Sequence, residues 1–119
     1  MFASNFSIKE DYLTHERGQE NLTVFNNTKT IGSGKNMGNY FCKTCGSLMY
    51  RVGEDFPGIY ICRIGTVDDF TLMETKFKPQ VEQYVEERAS WLSPIKGAKP
   101  FNGMSFKGTS GQQTGGPSL

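Results

Sequence analysis

The sequence predicts one small, mostly β domain, and three features of its composition and patterning support that prediction. The 119 residues include nine Phe and five Tyr, which favour strands, but only three Ala and six Leu, which favour helices. Fourteen glycines indicate frequent turns. Short runs of β-branched and aromatic residues recur between these turn signals, as in a turn-rich β fold.

The first half of the chain contains two predicted strands separated by a turn. Residues 1–7 alternate aromatic with smaller side chains, which predicts an opening strand, and residues 8–13 suit a single helical turn. The run LTVF at residues 22–25 joins β-branched and aromatic side chains, so it predicts the second strand. Residues 26–38 are dense in Asn, Gly, Ser and Lys and predict a loop.

The middle of the chain predicts an antiparallel hairpin. The runs LMYRV at residues 48–52 and IYICRI at residues 59–64 are the best strand candidates, and the segment GEDFPG at residues 53–58 is a strong turn signal between them. Residues 77–85 alternate well enough to predict a further strand, which Pro79 interrupts near its start.

The C-terminal segment predicts a disordered tail. No aromatic residue follows Phe106 and no charged residue follows Lys107, so the tail cannot repay the entropy of ordering. We therefore expect a folded domain over residues 1–102 and a tail rich in Gly, Ser and Thr over residues 103–119.

Charge and hydropathy exclude several classes of function. Thirteen Lys and Arg against twelve Asp and Glu give a net charge of +1, which argues against a nucleic-acid or membrane-surface protein that binds by bulk electrostatics. No apolar run reaches the length of a membrane span, and no signal peptide opens the chain. The expectation is a cytoplasmic protein without a nucleic-acid or membrane partner.

The sharpest local signal is the Cys42-Lys-Thr-Cys45-Gly46 motif. Two cysteines separated by two residues place both thiols on one side of a tight turn, which is typical of a zinc knuckle, half of a tetrahedral site. Two alternatives stay open: a redox-active pair, which needs a helix to begin at the cysteines, and two ordinary buried thiols. The strand-like run that follows the motif disfavours the redox alternative.

The chain is short of further soft metal ligands. Its third cysteine, Cys62, falls in the middle of a predicted strand, where a small buried thiol is the common outcome. Its one histidine, His15, lies in a polar segment and is expected to be a solvated surface imidazole. Each is a lesser candidate ligand, so Cys42 and Cys45 are the only metal-binding residues that we assign.

Three motifs in register resemble one known family. The segments NYFCKTCGS, GIYICRIGTVDD and ERASWLSPIKGAKPF are similar to those of the glutathione-dependent formaldehyde-activating enzymes, a family that includes centromere protein V. The resemblance covers about residues 2–101. It implies a zinc-binding β fold of the Mss4-like type and carbon–sulfur lyase chemistry, in which glutathione and formaldehyde form S-hydroxymethylglutathione. Glutathione is then a co-substrate, and the partner is a small thiol or aldehyde adduct.

The resemblance also implies which metal ligands of the family have counterparts in this chain. In such proteins an N-terminal Cys-X-Cys and the later Cys-X-X-Cys hold a structural zinc, so Cys42 and Cys45 correspond to half of that site. The motif that holds the catalytic zinc directly precedes the segment resembling residues 2–7, so no catalytic residue is assigned. The resemblance makes Arg88 and Trp91 packing or pocket residues.

We therefore expect an N-terminally truncated member of the family. The origin of the truncation stays open between a shortened gene model and a short paralogue that lost catalysis. As written, the chain should be inactive as a lyase. The alternative function is a non-catalytic zinc-knuckle interaction module that acts on protein or nucleic acid, and the balanced charge argues against a nucleic-acid partner.

Deleting residues 108–119 should change the free energy of unfolding by no more than about 0.5 kcal/mol, because changes away from packed features rarely cost more. Thermal denaturation of the full and shortened chains measures this, with a chain carrying a Gly/Ser segment of equal length as control. A drop of many degrees in the melting temperature would show that the tail packs against the domain.

Overall fold

A computed structural model describes residues 2–105, and the chain divides into two compact units. The first unit is Ser4–Asp68, and the second combines residues 2–3 with residues 69–105. Five strands form the first unit: β1 (Asn5–Lys9), β2 (Leu22–Asn27), β3 (Met37–Cys42), β4 (Leu48–Gly53) and β5 (Ile59–Arg63). Short 3₁₀ helices lie at Glu10–Tyr12, Gln19–Asn21 and Ile64–Thr66.

The five strands form one antiparallel sheet in the order β1-β5-β4-β3-β2. Strands β2 to β5 follow one another as a meander, and β1 lies on the far side of β5. β2 and β1 are therefore the two edges of the sheet. The prediction of a mostly β fold is confirmed.

The predicted strands that correspond to β2, β4 and β5 are confirmed with small differences at their ends, whereas β3 is not predicted and begins at Met37, inside the predicted loop. The LTVF strand extends to Asn27, and β4 extends to Gly53. The opening strand begins later than predicted, at Asn5 instead of residue 1, and continues to Lys9. Its position is set by pairing with β5, where Asn5 lies opposite Arg63, and not by the alternation of residues 1–7.

One face of the sheet, which we name the tyrosine face, is organised around Tyr50. Its ring stacks on Tyr40 at 5.0 Å between centroids and meets Tyr60 edge-on at 4.8 Å. The Tyr50 hydroxyl lies 2.9 Å from His15 Nε2, and Cys62 lies directly opposite Tyr50 on β5. The core of the unit is formed by four apolar residues: Met37, Tyr50, Cys62 and Ile64.

A side chain at Gly53 would crowd Met37, which lies opposite Gly53 in the β3–β4 pair. Met37 and Gly53 are opposite each other in the sheet. A Cβ added at Gly53 would lie 2.7 Å from Met37 Cε, closer than real Cβ contacts come. The absence of a side chain at Gly53 therefore allows the buried Met37 to pack across the strand pair.

The second unit contains little regular structure. Its elements are the short helix α1 (Thr71–Glu74), a 3₁₀ turn at Val85–Glu87, and the two-residue strands β6 (Val81–Glu82) and β7 (Lys99–Pro100), which pair in parallel. The prediction of a strand over residues 77–85 is wrong in extent, because only the β6 residues form one. Pro79 precedes β6, and Tyr84 adopts a left-handed conformation with φ 55°, which ends it.

The predicted boundary of the folded domain lies close to the last residues that the structure describes. Gly103 donates its backbone N–H to Glu86, and Ser105 donates to Gln83. Residues 106–119 lie outside the described part of the chain, so the boundary at residue 102 and the disordered tail stay predictions. None of the helices within residues 2–105 has the length and apolar character needed to cross a bilayer.

Replacing Tyr50 with Phe should weaken the dependence of stability on alkaline pH. Burial, and then the neighbouring tyrosines, raise the pKa of Tyr50 to about 12, whereas an unfolded tyrosine titrates near about 10. The folded state therefore keeps a proton that the unfolded state loses, and stability falls as pH rises from about 10 to about 12. The Phe variant lacks this contribution to the loss.

Urea unfolding at pH 8 and pH 11 measures the difference, with Tyr12→Phe as control because Tyr12 is 75% exposed. The control should lose as much stability between the two pH values as the natural chain, and Tyr50→Phe should lose less. At pH 8 the Phe variant should be destabilised by about 1 kcal/mol, through loss of the hydrogen bond to His15. Equal alkaline losses in all three proteins would contradict the prediction.

Candidate functional site

The two predicted metal ligands lie in the turn that joins β3 to β4. Cys42 ends β3, and its backbone N–H donates to Ser47 O at 2.9 Å while its carbonyl accepts from Gly46 N at 2.7 Å. Gly46 has φ 77°, a left-handed conformation that a side chain would strain. These bonds close the turn tightly and place Cys42 and Cys45 together, as the motif predicts.

Asn21, the last residue of the 3₁₀ helix before β2, supports the turn and is a residue that sequence reasoning missed. Its Nδ2 donates to Cys42 Sγ at 3.2 Å and to Thr44 Oγ1 at 3.0 Å, while its carbonyl accepts from Lys43 N at 3.0 Å. The pairing of Leu22 with Cys42 brings Asn21 to this position. Because the contact depends on strand register across 21 residues, no local sequence signal identifies it.

The two thiols differ in exposure and in acidity. Cys45 is exposed, and hydrogen bonds lower its pKa; the strongest comes from the Ser47 side chain, followed by the Ser47 backbone and Cys42. Cys42 is half-buried. The alternative of two ordinary buried thiols is therefore wrong for Cys45, and a thiolate at this position has the donors that a metal ligand needs.

The redox alternative also lacks its structural requirement. A redox-active pair of this spacing places its first cysteine at a helix N-terminus, where the helix dipole lowers the pKa. Here residues 43–45 form a turn and β4 begins at Leu48, so no helix starts at the pair.

The other soft ligands do not join the pair. Cys62 is buried in β5 opposite Tyr50, and burial raises the pKa of its thiol. This confirms the expectation of a small buried thiol. His15 is half-buried and bound to Tyr50, so the expectation of a solvated imidazole is wrong. The hydrogen bond to Tyr50, 35 residues away in sequence, fixes the position of His15, and sequence spacing does not reveal it.

The described residues do not complete a tetrahedral metal site. Within residues 2–105, no three side chains of His, Cys, Asp or Glu come together in an arrangement that could hold a metal ion. A structural zinc needs four protein ligands and a catalytic zinc usually needs three. The donor chemistry of Cys42 and Cys45 fits zinc, but their number fits only half of a site.

The family resemblance places Arg88 and Trp91 in a packing or pocket role. The surroundings of these two side chains differ. Arg88 forms a salt bridge to Glu82 at 3.0 Å, and the same carboxylate accepts from Ile95 N. This arrangement fits a packing role for Arg88. Trp91 is 72% exposed, so it does not pack within the described residues.

Cys45 should react with iodoacetamide at neutral pH much faster than Cys62, because it is exposed and its pKa is lowered, while Cys62 is buried with a raised pKa. Ser47→Ala should slow the reaction of Cys45, since the largest cause of its lowered pKa is removed. Mass spectrometry of the metal-free chain follows each site separately. Ser93→Ala, at an exposed position in the second unit, is the control and should leave the rate unchanged.

Comparison with known proteins places this fold and turn in a family. Residues 1–87 match the family described as "Glutathione-dependent formaldehyde-activating enzyme". The match includes all five strands of the sheet and the cysteine turn. No curated protein and no solved structure matches the chain. The extent of the match, well over half of the residues, shows that the chain belongs to the glutathione-dependent formaldehyde-activating enzyme family.

Proposed function

We propose that this chain is a zinc-dependent carbon–sulfur lyase-type protein, of the kind that forms and breaks S-hydroxymethylglutathione. In the forward reaction the sulfur of glutathione attacks the formaldehyde carbon, and the thiol proton is transferred to the new hydroxyl oxygen. The reverse reaction breaks the same carbon–sulfur bond. The observation that carries the proposal is the family match over residues 1–87, which includes the cysteine turn.

The proposed role of Cys42 and Cys45 is structural. As two thiolates closing the β3–β4 turn, they would supply half of the ligands of a zinc site that holds the sheet edge in place. Asn21 would orient the Cys42 sulfur and Ser47 the Cys45 sulfur, as the donors around ligating groups commonly do. The other two ligands are not found among the described residues.

We further propose that these 119 residues do not catalyse the reaction by themselves. Zinc catalysis requires a metal that is anchored by protein ligands and has an open coordination position. Two thiols cannot anchor it firmly. The chain should bind zinc weakly and below one equivalent.

The alternative proposal is a non-catalytic zinc-knuckle module that binds another protein. The observation that favours it is the exposure of residues 43–47, which form the tip of the β3–β4 hairpin. A nucleic-acid partner is disfavoured by the net charge of +1. Cytoplasmic location is part of either proposal.

The decisive experiment compares this chain with a longer version whose upstream segment supplies Cys-X-Cys-X-X-Cys. Exchange between formaldehyde and glutathione is followed by NMR, and elemental analysis counts the zinc. The chain as given should hold less than one zinc and leave the exchange at its background rate, because it offers only two ligands. The longer version should bind zinc stoichiometrically and accelerate the exchange.

Each other outcome contradicts a stated part of the proposal. If the chain as given accelerates exchange and the Cys42→Ser, Cys45→Ser double variant does not, the pair is catalytic and not structural. One tightly held zinc in the chain as given would bring Cys62, His15 or a second copy into the site. If neither version is active, the non-catalytic alternative is favoured.

A further inference from the structure

The face of the sheet opposite the tyrosine face carries uncompensated positive charge. The five strands contain three charged side chains, and all three are cations: Lys9, Arg51 and Arg63. Alternation along the strands and the observed register put them on one face. Arg51 pairs with Ile61, two residues before Arg63, and Asn5 lies opposite Arg63 and four residues before Lys9.

Arg51 is held in place by a neutral partner. Its Nε donates to Asn39 Oδ1 at 2.9 Å, and Asn39 is itself fixed because its Nδ2 donates to the carbonyls of Phe25 at 3.2 Å and Met37 at 3.4 Å. A guanidinium bound only through Nε keeps both terminal Nη groups available. Those two groups form the fork that matches a carboxylate in a bidentate pair.

Arg63 is arranged in the same way at the end of β5. One Nη group donates to Asn5 Oδ1 at 2.8 Å, which again uses an amide and not an acid as the partner. The salt bridges that join Lys35 to Asp55 and Arg88 to Glu82 do not include Arg51 or Arg63. Both guanidinium groups thus keep donors without an anionic partner.

The two arginines are close enough to influence each other. Burial, and then the charge of Arg63, lower the pKa of Arg51. A half-buried guanidinium that is repelled by a like charge and paired only with amides is costly unless an anion joins it. The arrangement is therefore that of a preorganised anion site whose anion comes from outside the described residues.

We propose that Arg51 and Arg63, oriented by Asn39 and Asn5, bind a carboxylate of the thiol substrate. We name these four residues the arginine face. The inference rests on the proposed function and deepens it, since glutathione carries two carboxylates at its ends, away from its reacting sulfur. Binding a remote carboxylate positions the thiol without taking part in the chemistry.

Binding of S-methylglutathione to the metal-free chain tests this, because methylation removes the thiol and any reaction at the cysteines. The free acid should bind at least about tenfold more tightly than its dimethyl ester, which lacks both carboxylates, as expected for a charge-assisted pair. In ¹⁵N NMR, the Nε–Hε signals of Arg51 and Arg63 should shift on titration, while those of Arg17 and Arg88 serve as internal controls.

Variants assign the effect to the arginine face. Arg51→Gln and Arg63→Gln should each weaken binding by about tenfold. Arg17→Gln removes the same charge from an exposed loop and should leave the affinity unchanged. Arg51→Lys keeps the charge but lacks the fork, so it should bind between the natural chain and Arg51→Gln. If the Gln variants do not fold, the affinity of Arg51→Lys and the difference in affinity between the acid and the ester still test the proposal.

Three results would overturn the proposal: equal affinity for the acid and the ester, unchanged affinity in both Gln variants, or equally tight binding of inorganic phosphate at the same arginines. Failure of the proposed function gives a different pattern. If the ligand binds at the arginine face but the longer version is inactive, the carboxylate site is supported and the proposed lyase function is contradicted. If the longer version is active but the signals of Arg51 and Arg63 do not shift, the lyase function is supported and the carboxylate site is contradicted.

Discussion

The packing of three tyrosines across the central strands is the interaction on which the first unit depends. The unit is small, and only four apolar residues within residues 4–68 are buried, so there is little other core to hold the strands together. Tyr50 contacts β3 through Tyr40 and β5 through Tyr60, and it reaches His15 in the loop after β1. One aromatic side chain thus links the central strands to the loop that precedes the edge strand β2.

The two faces of the sheet carry different kinds of side chain. Because side chains alternate along a strand, packing on the tyrosine face leaves every charged strand residue on the other face. Asn5 and Asn39 then hold the two arginines through hydrogen bonds that do not neutralise them. The stacked tyrosines lie on one face, and the two arginines with their amide partners lie on the other.

Local patterns predicted much of the sheet, and long-range pairing determined the rest. The runs LTVF, LMYRV and IYICRI are rich in β-branched and aromatic residues, so their strands could be predicted, as could the cysteine turn with Gly46. The start of β1 could not, because its bounds depend on β5, about 50 residues away in sequence. The positions of His15 and Asn21 likewise depend on contacts across strands, and so does the support that Asn39 gives to Arg51.

The position of β1 in the sheet has a consequence for the order in which the unit assembles. Strands β2 to β5 meet through short connections, but the hydrogen bond between Asn5 and Arg63 joins residues 58 positions apart. Closing so long a loop has a high entropic cost. Pairing of β1 with β5 offsets that cost only after β5 has joined the meander. This topology favours late docking of β1 during folding. The Asn5 support of Arg63 exists only in the completed sheet.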